Sequence, residues 1–273
     1  MNDSPTGDAT GTGRRRLLAA GASAATVGLA GCLGGRDGPV PEPTVTSDRI
    51  DGGWRLLDES EGTVFERAYG PVTVRALEHT LIYEDASVAE ALADALDASG
   101  SPVVFFATRL DLRPAIDGLP GGIGRDRVME AAETTAVDAF RARLRNAGIG
   151  GLREVDEGVT TVTGGHTATA WRFEGEFALG GEVPLPDGST TAVDEATGVR
   201  ARLAVWHDGT DALVAGGAFP SEPITAAVGD SLSGSIDGET VVESTAGAAA
   251  ADALATDPAA FDEEISVLIV SVT

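Results

Sequence analysis

Residues 199–219 read VRARLAVWHDGTDALVAGGAF, and this stretch decides the fold. In its first half apolar residues alternate with Arg200 and Arg202, as in a strand that buries one face. Its second half, residues 211–219, is almost wholly apolar, and the tripeptide Asp208-Gly209-Thr210 between the halves has turn composition. The stretch therefore predicts an antiparallel β-hairpin.

A second hairpin precedes the first in the chain. Residues 153–163 and 167–177 are strand-like, and they flank Gly164-Gly165, a pair that favours a tight turn. In the later strand, aromatic and charged residues alternate, so they would lie on opposite faces. The aromatic residues are Trp171, Phe173 and Phe177, and the charged residues are Arg172, Glu174 and Glu176. We expect the acidic residues 180–198 to form a loop that joins the two hairpins.

Three further segments have the composition of strands. Residues 63–67 and 72–77 flank a Gly70-Pro71 turn, and the apolar run 103–107 predicts a buried strand. The run 265–272 is apolar and rich in β-branched residues, so we expect it to form the last strand.

Helical patterns separate these strands. Ser87 and Glu90 have the spacing of a capping box and predict a helix that begins at Ser87. Residues 125–146 carry apolar side chains at helical spacing, and the alanine-rich residues 246–255 favour a third helix. Strands and helices in this order predict an α+β sandwich, with an antiparallel sheet flanked by helices in one domain over residues 49–273.

The N-terminal 31 residues have the anatomy of an export signal. Arg14, Arg15 and Arg16 precede an apolar stretch of small residues that is too short to form a membrane-spanning helix. Paired arginines ahead of a mildly apolar segment are typical of twin-arginine export.

This segment ends in Leu29-Ala30-Gly31-Cys32, which is similar to the lipobox of bacterial and archaeal lipoproteins. In that motif the cysteine thiol is lipidated and becomes the mature N-terminus. The resemblance implies cleavage after Gly31 and a lipid on Cys32 that anchors the protein to the outer face of the cell membrane. Residues 32–48, with their Gly and Pro, predict a linker between the anchor and the domain.

The composition is strongly acidic, with 19 basic residues, 43 acidic residues and a formal net charge of -24. All the basic residues are arginines, because the sequence contains no lysine. Self-repulsion at this charge is screened in molar salt, where the Debye length is about 3 Å, so the surface suits a halophile. The acidic surface argues against nucleic-acid binding, and the missing lysine excludes P-loop and Schiff-base chemistry.

The chain also resembles known families. Arg14-Arg15-Arg16, the lipobox cysteine Cys32 and residues 103–220 resemble a family of haloarchaeal Tat-exported lipoproteins whose function is unknown. Residues 148–220, which begin GIGGLREVDEG, more loosely resemble the Mog1p/PsbP-like fold. That fold places an antiparallel sheet between helices, and its members are mostly binding or assembly proteins. The resemblance transfers no catalytic residue.

Candidate site residues are few. His166 and His207 lie beside the two hairpin turns, so they could converge, and Trp171 and Trp206 could add aromatic surface to a binding site there. Surface histidines and tryptophans in the core are the alternative interpretation. No histidine spacing indicates a metal site, and we expect no cofactor.

Two other motifs match functional patterns in part. Gly121-Gly122-Ile123-Gly124 before the long helix could receive an anion or be a plain turn. Ser231, in Gly229-Asp230-Ser231-Leu232-Ser233, falls short of a nucleophile elbow because Ser233 stands where the last glycine is needed. The sequence thus predicts a lipid-anchored binding or envelope-assembly module; an envelope hydrolase and a solute-binding lipoprotein remain alternatives.

Overall fold

The computed structural model describes residues 38–115, 117, 122–185, 188–232 and 237–273. The predicted signal motif and the lipidation site at Cys32 lie outside these residues. Within them the chain forms seven strands: β1 (Trp54–Tyr69), β2 (Val72–Asp85), β3 (Val104–Arg113), β4 (Ile149–Thr161), β5 (Thr167–Pro184), β6 (Thr190–His207) and β7 (Ala212–Pro220). The helices of the same ranges are α1 (Ser47–Ile50), α2 (Ala86–Leu96), α3 (Gly122–Asn146), α4 (Ile224–Ser231), α5 (Gly238–Ala246), α6 (Ala248–Leu254) and α7 (Pro258–Ser271).

All seven strands form one antiparallel sheet in the order β1-β2-β3-β7-β6-β5-β4. The chain thus builds two meanders, β1 to β3 and β4 to β7, which join where β3 pairs with β7. Helix α3 connects the two meanders. The predicted α+β class is confirmed, and so are the two hairpins around Gly164-Gly165 and Asp208-Gly209-Thr210.

Helices α3 and α7 pack on opposite faces of the sheet. On one face Phe140 of α3 lies between the rings of Phe106 and Phe173, at centroid distances of 5.2 and 5.3 Å. On the other face Ile265 of α7 packs over Gly217, which pairs with Phe105 and so faces away from α3. We call these two sides the α3 face and the α7 face.

The segment predicted as the last strand is helix α7, so that prediction is wrong. Asp257 caps the helix by accepting a hydrogen bond from the Ala259 N–H, and Pro258 occupies its first turn. Phe261, Ile265 and Leu268 are buried, and their spacing of four and three residues is that of one helix face. A continuous apolar run does not distinguish a buried helix from a strand, and here the cap and the packing on β7 decide.

The prediction of an acidic loop over residues 180–198 is also wrong, because β5 extends to Pro184 and β6 begins at Thr190. Val183 and Val193 are fully buried, whereas Asp194 and Glu195 are exposed. These exposed acidic residues gave the segment the composition of a loop, and so concealed the strand. The predicted capping box at Ser87 is not formed. Asp85 caps α2 instead, because its side chain accepts a hydrogen bond from the Val88 N–H at 2.9 Å.

The described part of the predicted linker packs on the domain rather than standing off it. Val40 is buried, and the Arg113 guanidinium donates to the Gly38 carbonyl at 2.6 Å. The N–H and carbonyl groups of Thr44 pair with those of Thr273 at 2.8 and 3.0 Å. Gly and Pro exclude a helix here, but they allow an extended segment that bonds to its neighbours. We call residues 38–46 the strap.

Candidate functional site

The structure places His166 and His207 at the same end of the sheet, at the start of β5 and the end of β6. Burial raises the pKa of nearby Asp208, but hydrogen bonds from the N–H groups of Asp211 and Thr210, together with Arg109 and His166, hold it below its ordinary value. This carboxylate organises the turn between β6 and β7. Within the described ranges, no three His, Cys, Asp or Glu side chains are grouped to hold a metal ion.

Trp171 and Trp206 do not form one pocket with His166 and His207. Trp171 is buried on the α3 face, because it has the parity of Phe173. Trp206 has the parity of Ala204 and is buried on the α7 face. Side chains on opposite faces of one sheet cannot line a common cleft, so both rings serve the core.

Ser231 is the last residue of helix α4, and its hydroxyl donates to the Val228 carbonyl at 2.7 Å. A nucleophile elbow needs a serine on a sharp strand-to-helix turn, which is not the position of this residue. Of the glycine-rich segment, Gly121 lies outside the described residues, and α3 begins at Gly122.

His79 holds the strap against β1 and β2. The residue is 5% exposed. Its Nδ1 lies 3.1 Å from the Val40 carbonyl oxygen, and its Nε2 lies 2.9 Å from Glu59 Oε1. Both partners are acceptors, so both ring nitrogens are satisfied as donors only in the imidazolium form. Burial lowers the pKa of His79, but the bonds to Val40 and Glu59 and the charge of Glu61 outweigh it, and the net pKa is raised.

The raised pKa of His79 predicts that the strap is held more firmly at low pH. The stabilisation is complete below the ordinary histidine pKa of about 6.5 and is lost as the pH rises through the folded-state value. We expect the protection factor of the Thr44 amide, which is corrected for the intrinsic base-catalysed exchange rate, to fall across that window in the wild type. In His79→Phe this protection factor should not change with pH. Equal pH dependence in both proteins would contradict the assignment.

A cleft with a strongly charged lining lies on the α7 face, between α7 and the edge strand β4. Two adjoining cavities of about 200 and 400 Å³ share Asp156, Arg172 and Arg202 in their linings. Strands β5 and β6 form the floor. Helix α7 forms one wall, because it packs on β7, β3 and part of β6 and leaves β5 open. We call this cleft the groove.

Arginines dominate the floor of the groove. Arg172 on β5 and Arg202 on β6 are direct cross-strand partners, so two like charges stand opposite each other on one face. Each is held by a carboxylate from a wall: Arg172 meets Asp156 at 3.2 Å, and Arg202 meets the two oxygens of Asp262 at 2.6 and 2.7 Å. The walls therefore neutralise a charge pair that the sheet alone would disfavour.

The other end of the groove has a mainly apolar lining. Its lining includes Ala170 and Ala204 on the floor and Ile269 and Val270 on α7. Gly158 on β4 completes it, and an added Cβ at this glycine would meet nothing within 4 Å. Small side chains on the floor give the cleft its depth, so the groove can take a small apolar group beside its arginines.

Sequence reasoning did not assign the groove, although part of its signal was visible. Arg172, Arg200 and Arg202 stand at the outward parity of two strands in a chain that is otherwise acidic. Alternation alone does not say that Arg172 and Arg202 are opposite each other, nor that a helix brings Asp262 to them. None of the helices in the described ranges is both long and apolar enough to cross a membrane.

The comparisons with known proteins give one match. The sequence profile of a family described as a domain of unknown function (DUF6517) matches residues 42–273. The match covers the strands and helices described above, including both walls of the groove. No curated protein and no solved structure matches the sequence.

Proposed function

The chain belongs to the DUF6517 family, a domain of unknown function, and from this premise we propose that it is a binding module of the cell envelope whose ligand occupies the groove. One observation carries the proposal: three arginines line a cleft in a chain of net charge -24. A cluster of guanidinium groups on a surface that is otherwise mostly acidic indicates recognition of a partner or ligand.

The location of the module is the second part of the proposal. It is exported by the twin-arginine route, anchored through a lipid on Cys32, and works in the salt to which its acidic surface is suited. The matched family region begins at residue 42, after the lipobox, which is consistent with a leader and anchor that precede the domain. The likeness to haloarchaeal lipoproteins and to the Mog1p/PsbP-like fold, with its mostly non-catalytic members, supports the same interpretation.

Filling the groove is expected to abolish binding. Gly158→Trp places an indole ring in the cavity of about 200 Å³, at a position where an added Cβ meets nothing within 4 Å. A library of neutral, cationic and anionic fragments is screened by amide chemical shifts in molar salt. We expect shifts to cluster at Ala170, Ala204 and Ser266 in the wild type and to disappear in the variant.

The matched control is Gly62→Trp. Gly62 is an exposed glycine in the opposite edge strand β1, and an added Cβ there also meets nothing within 4 Å. This variant introduces the same ring into a similar strand and is expected to bind as the wild type does. Fragment shifts that persist in Gly158→Trp, or that cluster away from the groove, would overturn the groove as the binding site.

A further inference from the structure

Of the three arginines of the groove, Arg200 is the one that has no carboxylate partner among the described residues. Its side chain is exposed on the α7 face, directly opposite Glu174 in the neighbouring strand. Glu174 is already engaged by Arg153 of β4, and Arg200 forms no ion pair with any residue that the structure describes. The guanidinium of Arg200 is therefore available to a ligand that enters the groove.

The two paired arginines can add to this charge. A guanidinium carries five N–H donors, more than one carboxylate can use. Arg172 is 60% exposed and Asp156 is 55% exposed, so their contact of 3.2 Å is a solvated ion pair of small net stability. An incoming oxyanion can therefore bind Arg172 at little cost, and it also relieves the repulsion between Arg172 and Arg202.

The other end of the groove restricts the group that is attached to the anion. The small apolar residues Ala170 and Ala204 and the wall formed by Ile269 and Val270 lie next to the arginines. Val155, an exposed valine of β4, lies at the outer cavity with Arg200. Cavities of about 200 and 400 Å³ suit a small molecule and not a folded partner.

From this juxtaposition we propose that the groove binds an amphipathic oxyanion, a carboxylate or phosphate head with a short apolar chain. The head is held by Arg200 and Arg172, and the chain lies over Ala170 and Ala204 against α7. This inference rests on the proposed function and names the class of ligand for the same site. Carboxylate and phosphate share the planar, two-pronged contact that arginine favours.

The test is titration calorimetry in molar salt with four probes: octanoate, octyl phosphate, octanol and inorganic phosphate. We expect octanoate or octyl phosphate to bind the wild type at least about tenfold more tightly than octanol or inorganic phosphate. Whichever of the two binds more tightly identifies the head group. With the Debye length at about 3 Å, only direct contacts contribute, so binding reports the groove and not the overall field.

Arg200→Ala is expected to weaken the better probe about tenfold, because one direct charged contact is lost. Arg127→Ala is the matched control: it removes an exposed arginine of α3, which packs on the other face, and should change affinity by less than about twofold. Amide shifts at Ala170 and Ala204 locate the chain.

Three results would overturn the inference. Octanol that binds as tightly as octanoate and octyl phosphate would show that charge does not matter. Unchanged affinity in Arg200→Ala would show that the head lies elsewhere. The third result is that no amphiphile binds, while neutral or cationic fragments occupy the groove in the wild type and are lost in Gly158→Trp; the ligand class is then wrong and the proposed binding function stands. If those fragments do not bind either, both the ligand class and the proposed function are wrong.

Discussion

Gly181→Ala is expected to lower the free energy of unfolding by about 3 kcal/mol, a large effect for one added methyl group. Gly181 lies in β5 where the last turn of α2 meets the sheet, and a Cβ at this residue would stand 2.1 Å from the Leu96 carbonyl oxygen. The clashing atom belongs to the backbone, so a side-chain rotation cannot relieve the clash. Its φ of +153° is also a value that L side chains rarely adopt. Guanidinium unfolding in molar salt measures the loss.

The neighbouring Gly180 provides the control. A Cβ at Gly180 meets nothing within 4 Å, and this glycine lies in the same strand. Gly180→Ala should therefore leave stability within about 0.5 kcal/mol of the wild type. If both variants unfold at the same denaturant concentration, α2 does not pack on β5 as described.

Cys32→Ser is expected to eliminate the lipid-anchored form of the protein. Under the proposed lipobox, the Cys32 thiol carries the lipid and becomes the mature N-terminus, and a serine hydroxyl cannot replace it. Expressed in a halophilic host, the wild type should partition into the detergent phase, with an intact mass that begins at Cys32 and includes acyl chains. In the variant this species should be absent.

Ser23→Ala is the matched control, since it changes a small residue of the same segment and keeps the lipobox intact. It should partition as the wild type does. A wild-type protein that retains its first 31 residues, or that carries a free thiol at Cys32, would refute the anchor. Binding in the groove would be unaffected by that result, because the groove lies within the domain that the family profile matches.

The hairpins were predictable because their signals are local. Arg200 and Arg202 alternate with apolar residues over a few positions, and Asp208 with Gly209 supplies the turn between β6 and β7. Such alternation follows from the twofold period of side chains along a strand. The same rule failed for Val183 and Val193, because acidic residues around them gave the composition of a loop.

Helix α7 shows the opposite failure. Its run of β-branched residues favours a strand by intrinsic preference, and the structure overrides that preference. Burial of Ile265 and Leu268 against the α7 face stabilises a helix at this place more than an added strand would, because β7 already has neighbours on both sides in β3 and β6. The helical state of residues 258–271 therefore follows from the arrangement of the other strands and not from the local sequence.

The sequence alone determined the acidic character, the absence of lysine chemistry, the α+β class and the two hairpins, since each depends on composition or on neighbours along the chain. Tertiary structure alone decided the groove. Asp156, Arg172, Arg202 and Asp262 come from four elements separated by up to 106 positions (262 − 156), and they meet only through strand register and the packing of α7. A register shift of one residue would send Arg172 to the α3 face, and no local pattern specifies that register.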